Sequence, residues 1–202
     1  MVACCDATHE KGVGGQGHAM AGGSTLYGFS WGTFDDAFID ELAAYLRGNG
    51  VLEVFAGNGL LTSILRLRGV DSHSTTLFRT HDGHEDGIFG GPEVMDARDA
   101  ATKYRNSHDV LLMSWPPPDE AAMQASILWG EQRPIVFVGE VTDLAAGRLG
   151  GCASDLFFEL SEETSVFESY RSARSGLDRA AVRRLLPGAT AEYARRLRGM
   201  RY

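Results

Sequence analysis

The segment Val51-Leu52-Glu53-Val54-Phe55-Ala56-Gly57-Asn58-Gly59 sets an acid and two glycines where a short apolar run gives way to a helical pattern. Glycines one residue apart let the backbone take positive φ and come close to a bound molecule. Two nucleotide chemistries compete for such a turn. A dinucleotide site needs a third glycine, so that pyrophosphate can rest on the helix N-terminus. Thr62 holds that position here, and no basic residue marks a phosphate. A carboxylate in the strand, Glu53, repels pyrophosphate and suits a cation. S-adenosylmethionine carries an ammonium and a sulfonium and no phosphate, so the turn reads as a cradle for that molecule.

Further groups stand where a nucleoside site needs them. Met95-Asp96-Ala97 puts a carboxylate at a strand end, able to accept an adenine amino group or simply to cap a helix. Ser114-Trp115-Pro116-Pro117-Pro118 closes a strand with a rigid turn. Prolines lack N–H donors, so their carbonyls can face a substrate amine while Trp115 offers a stacking face. Glu140, at a strand end, is a candidate general base or a loop cap. Cys152 reads as a small buried apolar residue, since no partner His is identifiable for a nucleophile. His81-Asp82-Gly83-His84-Glu85-Asp86 has chelating residue types but reads as a solvated loop, and Cys4, Cys5 and His9 lack the fixed frame that a metal site requires.

The elements that must hold these groups alternate along the chain. A helix opens at Phe34-Asp35-Asp36, with Phe38, Ile39, Leu42 and Leu46 at helical spacing. Val51 to Phe55 is a buried strand, Leu60 to Arg68 a helix, Ser74 to Phe78 a weaker strand and Arg79 to Gly91 a polar loop. A short strand ends at Met95, a helix spans Ala97 to Tyr104, and Asp109 to Trp115 is a strand. Asp119 caps a helix through Leu128, and Pro134 to Val138 is the next strand. A short helix from Asp155 to Leu160 and strands at Val166–Tyr170 and Arg179–Arg183 complete the pattern. Strands alternating with helices predict a doubly wound, mostly parallel α/β sheet that binds ligands at the strands' carboxyl ends.

The chain's 202 residues suit one domain, with 44% hydrophobic and 23% charged residues. Residues 1–24 are glycine-rich and read as a flexible arm, residues 25–184 as the folded domain, and residues 185–202 as an Arg-rich tail. The net charge is −8, yet from Arg171 onward nine arginines face only Asp178 and Glu192. Such a stretch reads first as a solvated helix face, and it can also fold back on the acidic body or meet RNA or another acidic partner. Three cysteines make no disulfide framework, no run is long enough to span a membrane, and the first residues lack the apolar stretch of a signal peptide, so a cytoplasmic setting is expected.

Glu53 with Gly57-Asn58-Gly59, then Asp96-Ala97, then Ser114-Trp115-Pro116-Pro117 together resemble a class I, Rossmann-like S-adenosylmethionine-dependent methyltransferase over about residues 27–184. More narrowly, the chain is similar to a small, little-characterised methyltransferase-like branch. The signs are the aromatic segment Tyr27 to Trp31, Gly139-Glu140, Gly150-Gly151-Cys152 with Asp155, Phe157 and Phe158, and Gly176-Leu177-Asp178. The resemblance implies that Glu53 and the backbone of Ala56, Gly57, Asn58 and Gly59 bracket the amino-acid part of the cofactor. It places Asp96 and Ala97 at the adenine, and Ser114 and Trp115 by the transferable methyl group. Thr76 falls where such proteins carry an acid for both ribose hydroxyls. A hydroxyl there forgoes a charge-assisted bond of about 1.5–3 kcal/mol, a roughly tenfold or greater loss in affinity. Tyr27 and Trp31 are candidates for a lid. The expected activity is methyl transfer to a small molecule, with Trp115, Ser114 and Glu140 serving the reaction. The alternatives are a binding module of the same fold without turnover, and a nucleic-acid or protein methyltransferase that uses the basic tail.

Overall fold

A computed structural model describes residues 26–27, 34–77, 88–172 and 176–199. The expected arm at residues 1–24, the side chains of Tyr27 and Trp31, and the His81–Asp86 loop lie outside the described residues.

A two-residue strand pair, β1 (Leu26–Tyr27) and β2 (Phe34–Asp35), leads into α1 (Asp36–Leu46). Asp35 caps this helix by accepting the Phe38 N–H at 2.9 Å, and Phe38, Ile39, Leu42, Ala43 and Leu46 form its buried stripe. The chain continues through β3 (Val51–Val54), α2 (Leu60–Leu67), β4 (Ser72–Thr76), β5 (Glu93–Val94), α3 (Ala97–Tyr104), β6 (Val110–Ser114), α4 (Ala121–Trp129) and β7 (Ile135–Glu140). It closes with α5 (Asp155–Glu159), β8 (Ser161–Val166), β9 (Asp178–Leu185) and α6 (Ala189–Gly199).

Seven strands form one sheet in the order β5-β4-β3-β6-β7-β9-β8. The first five run parallel, and β9 lies antiparallel to both β7 and β8. Period-two alternation divides the core between the two faces. Leu52, Val54, Leu111 and Met113 meet α3, α4, α5 and α6 on one side. Val51, Val110 and Leu112 meet α1 and α2 on the other. The result is the doubly wound, mostly parallel Rossmann-like α/β class. From β3 the chain builds outward to β4 and β5, then returns to add β6 on the opposite side of β3. The crevice beyond the carboxyl ends of β3 and β6 is therefore the place for a ligand.

The strand expected at Ser74–Phe78 begins two residues earlier, as β4 Ser72–Thr76, and two further segments differ more. The strand expected at Val166–Tyr170 is instead β8, Ser161–Val166, whose register with β9 shifts between Glu163 and Ser165. Ser161-Glu162-Glu163-Thr164-Ser165 has no apolar alternation because only Ser161 is buried. Phe167 and Tyr170 lie past the strand, with ring centroids 6.0 and 4.9 Å from that of Phe38. The segment 185–202, expected as an Arg-rich tail with a solvated helix face, begins with the last residue of β9 and continues as the helix α6, which packs on the domain rather than trailing from it. Ala189 and Tyr193 of this helix join the core, and Glu131 accepts the N–H groups of Gly188 and Thr190. Arg196 pairs with Glu159 of α5 and so ties the helix to the body, while the pairs of Arg195 and Arg196 with Glu192 stay within α6. No helix among the described residues is long and apolar enough to cross a membrane.

Candidate functional site

A cavity of about 1070 Å³ opens at the switch point. Its walls include Glu53, Ala56, Gly57, Asn58, Thr76, Asp96, Ala97, Ser114, Trp115 and Glu140. Every side chain singled out for the site therefore opens into one space. Gly59 does not line it.

Glu53 owes its position to strand alternation, which turns it with Val51 toward α2. It is 1% exposed, and its Oε2 accepts the Thr62 backbone N–H at 3.1 Å together with the Thr62 hydroxyl. Thr62, the residue that interrupts the dinucleotide pattern, thus holds the acid. Burial pushes the Glu53 carboxyl up to about 7, with the Thr62 bonds pulling the other way. Asn58 Oδ1 accepts the Leu60 N–H at 3.2 Å. Two donors that a pyrophosphate would need at the start of α2 are thus taken by the chain itself.

Gly57 and Gly59 both have positive φ, +53° and +81°. For Gly59 the demand is steric as well: a Cβ there would lie 2.3 Å from the Phe89 carbonyl oxygen and 2.6 Å from Pro92 Cγ. Its part in the site is to let the 88–92 loop close over the turn.

Asp96 N-caps α3 and is bound by Arg98, with Oδ1 accepting from the backbone N–H at 2.9 Å and Nε at 2.7 Å, and Oδ2 from Nη2 at 3.1 Å. These bonds hold its carboxyl below the usual aspartate range. Most of its capacity to accept an adenine amino group is already engaged. Arg98 itself lines the cavity and reaches Gln124 Oε1 at 3.3 Å. The proline carbonyls are turned inward too: Pro117 O accepts from Asp119 N at 2.8 Å and from Ala153 N at 3.1 Å, and Pro116 O lies 3.4 Å from Ala153 N.

Glu140 Oε2 accepts the Gly151 N–H at 2.8 Å. A Cβ on Gly151 would sit 2.6 Å from that oxygen, and one on Gly150 would sit 2.7 Å from the Val141 backbone. The Gly150-Gly151-Cys152 loop therefore needs its glycines to pack on the end of β7. Cys152 is 3% exposed, and burial pushes its thiol up to about 11 from an ordinary 9.0. The thiolate fraction at neutral pH falls about 100-fold, which removes the nucleophile. Native protein treated with iodoacetamide at pH 7.5 is expected to alkylate Cys152 about 100-fold more slowly than the urea-unfolded chain, as peptide mass spectrometry can follow.

Sequence reasoning missed Phe55, Arg98, Glu120 and Gln124, all on the cavity wall. Phe55, Trp115 and Ala153 are the described non-glycine residues with positive φ, at 59°, 53° and 54°. Phe55 and Trp115 line the cavity, and Ala153 follows its Cys152. Each such residue costs about 1–3 kcal/mol, and such strain gathers at functional sites. Trp115 Nε1 is buried with no hydrogen-bond partner, and Glu120 Oε2 is buried without a well-formed hydrogen bond. Among the described residues no group of three or more His, Cys, Asp or Glu could hold a metal.

Neither a protein-family model nor a curated protein matches the chain. Solved structures do. A ribosomal protein L11 methylase from Lactobacillus delbrueckii subsp. bulgaricus is 13% identical with a TM-score of 0.44, covering 74% of this chain and 76% of that one. The mitomycin 7-O-methyltransferase MmcR is 12% identical with a TM-score of 0.41, covering 74% of this chain and 53% of that one. Thermoplasma acidophilum protein 1320 is 18% identical with a TM-score of 0.41, covering 71% and 82%. Likeness at this level carries no argument about chemistry, which rests on the site itself.

Proposed function

We propose that the cavity binds S-adenosylmethionine and that the protein transfers its methyl group to a small molecule. The observation that carries this reading is the convergence of Glu53, the Gly57-Asn58 turn, Thr76, Asp96 and Trp115 on one cavity. Glu53 fits the cofactor's amino-acid end because a buried carboxyl held near neutrality gains from a cation beside it. Trp115 Nε1 and Glu120 Oε2, buried without well-formed hydrogen bonds, leave a donor and an acceptor for bound molecules. When bound, the cofactor supplies an electrophilic methyl group on a sulfonium. The chain's own part is to position the partners and exclude water. Glu53 and the turn would hold the amino-acid end, Thr76 a ribose hydroxyl, and Asp96 and Ala97 the base. Trp115, whose backbone N–H donates to the Val138 carbonyl at 2.7 Å, would wall the acceptor side with Ser114. Glu140 would receive a substrate proton.

Calorimetric titration with S-adenosylmethionine tests the reading. Because Glu53 must be ionised to meet the ammonium, the association constant is expected to fall about tenfold per pH unit below 7 and to level off above it. No heat and no thermal shift at millimolar ligand would reject the proposal. The engagement of Asp96 by Arg98 favours a second reading, a binding module of the same fold without turnover. Radiolabelled methyl transfer to any component of a cell extract would exclude it. The ion pairs of Arg195 and Arg196 within the chain favour a small-molecule acceptor over nucleic acid.

A further inference from the structure

The cavity's charge is one-sided. Among the described residues that line it are five carboxylates, Glu53, Asp96, Asp119, Glu120 and Glu140, and one cationic side chain, Arg98. Arg98 is bound to Asp96 through both carboxylate oxygens, so it neutralises one acid and offers little to a second anion. Glu53 faces the cofactor's amino-acid end in the reading above. That leaves Asp119, Glu120 and Glu140 on the wall that also carries Trp115 and the three prolines.

Two oxygens on that wall are open to a ligand's donors, and one of them is buried. Glu120 Oε2 is buried without a well-formed hydrogen bond, the Tyr193 hydroxyl being the neighbour with which this carboxylate interacts. Glu140 is half-buried and lines the cavity; its Oε2 is occupied by the Gly151 N–H, which leaves Oε1 for a ligand in place of water. A buried acceptor left unmatched costs about 1–3 kcal/mol, and more when charged. A phosphate or carboxylate placed here would meet carboxylates at low dielectric with no free cation to offset them. An ammonium would satisfy both acceptors, and the Trp115 face would add a cation–π attraction. Phe55 and the Pro116–Pro118 turn supply an apolar wall for the remainder of the molecule.

We propose, building on the cofactor reading, that the methyl acceptor is a small organic ammonium ion with an aromatic or similarly apolar body, held by Glu140 and Glu120 beside Trp115. Glu140 takes one proton from the ammonium nitrogen, freeing its lone pair. That pair forms the new N–CH3 bond as the S–CH3 bond breaks, and the electrons of the broken bond stay on sulfur as a neutral thioether. The proton on Glu140 then leaves to water.

The test uses the full chain saturated with S-adenosylhomocysteine, the thioether product, whose own titration is recorded first. Benzylammonium, phenethylammonium and indolylethylammonium are compared by calorimetry with the alcohols and carboxylates of the same skeletons. The ammonium ions are expected to bind at least about tenfold more tightly than their matched partners. Glu140→Gln should erase that preference while leaving the thioether's affinity within about twofold. Should Glu140→Gln fail to fold, Glu120→Gln takes its place, with the same expectation. Alcohols or carboxylates that bind as well as the ammonium ions, no ammonium binding at millimolar concentration, or a folded variant that keeps the preference would each overturn the proposal. A thioether that binds with no ammonium preference sinks this inference alone; a thioether that does not bind sinks the cofactor reading beneath it.

Discussion

Glu53→Gln is expected to make the empty protein more stable and to cripple its cofactor binding. The folded-state carboxyl titrates near 7, against an ordinary 4.5. A carboxyl whose pKa is raised by folding favours the folded state least when ionised. Its penalty is absent below pH 4.5, grows as pH rises to 7, and is constant above. The difference corresponds to about 3 kcal/mol. An amide is isosteric, cannot ionise, and presents an oxygen to both the Thr62 N–H and the Thr62 hydroxyl. Removing the charge should therefore raise the melting temperature at pH 8 by on the order of 10 °C and change it little at pH 4.5. The same variant loses the most deeply buried carboxylate among the described residues of the cavity wall, so its affinity for S-adenosylmethionine at pH 8 should drop about 100-fold or more. Thermal melts at the two pH values and a titration at pH 8 check both halves. A melting temperature at pH 8 equal to or below that of the wild type would show that the carboxyl is not penalised by burial.

Gly59→Ala is expected to be the most damaging single-methyl addition in the site. At φ +81° any side chain is disfavoured by about 1 kcal/mol. The added Cβ would also lie 2.3 Å from the Phe89 carbonyl oxygen and 2.6 Å from Pro92 Cγ, and the first of these is backbone that cannot rotate away. The Phe89 N–H donates to the Asn58 carbonyl at 2.7 Å, which ties the loop to the turn from its other side. The loop must then lift or the turn must open, for a total loss of about 3–5 kcal/mol. Urea unfolding should show a large fall in the midpoint. A change under 1 kcal/mol would mean that the 88–92 loop does not rest on Gly59.

What could be read from the chain beforehand was what depends on neighbours in sequence. α3 spans the residues that its spacing predicts, and β3 and α2 fall within a residue of expectation, because apolar periodicity, a capping Asp and flanking glycines are local signals. The gathering of Glu53, Asp96, Trp115 and Glu140 was legible for a topological reason: in a doubly wound sheet the carboxyl ends of the parallel strands share one edge. What could not be read were the partners. Thr62 looked like a failed glycine, and only the packing of α2 against β3 shows it as the donor to Glu53. Arg98 stands two residues from Asp96, yet its side chain could as well have pointed to solvent. Glu120 and Gln124 enter the wall because the triple proline redirects the chain, which no periodicity reports. β8 was invisible because its stability comes from pairing with β9 rather than from a buried face of its own.

The two borders of the sheet carry a consequence for how these molecules behave in a crowd. On one side the last strand is two residues long, too short to template another chain. On the other, β8 interrupts its own ladder between Glu163 and Ser165 and displays Glu162 and Glu163 to solvent. A second copy arriving at either border finds a stub or a broken rail of charged side chains, so the protein should tolerate high concentration without stacking strand upon strand into fibres.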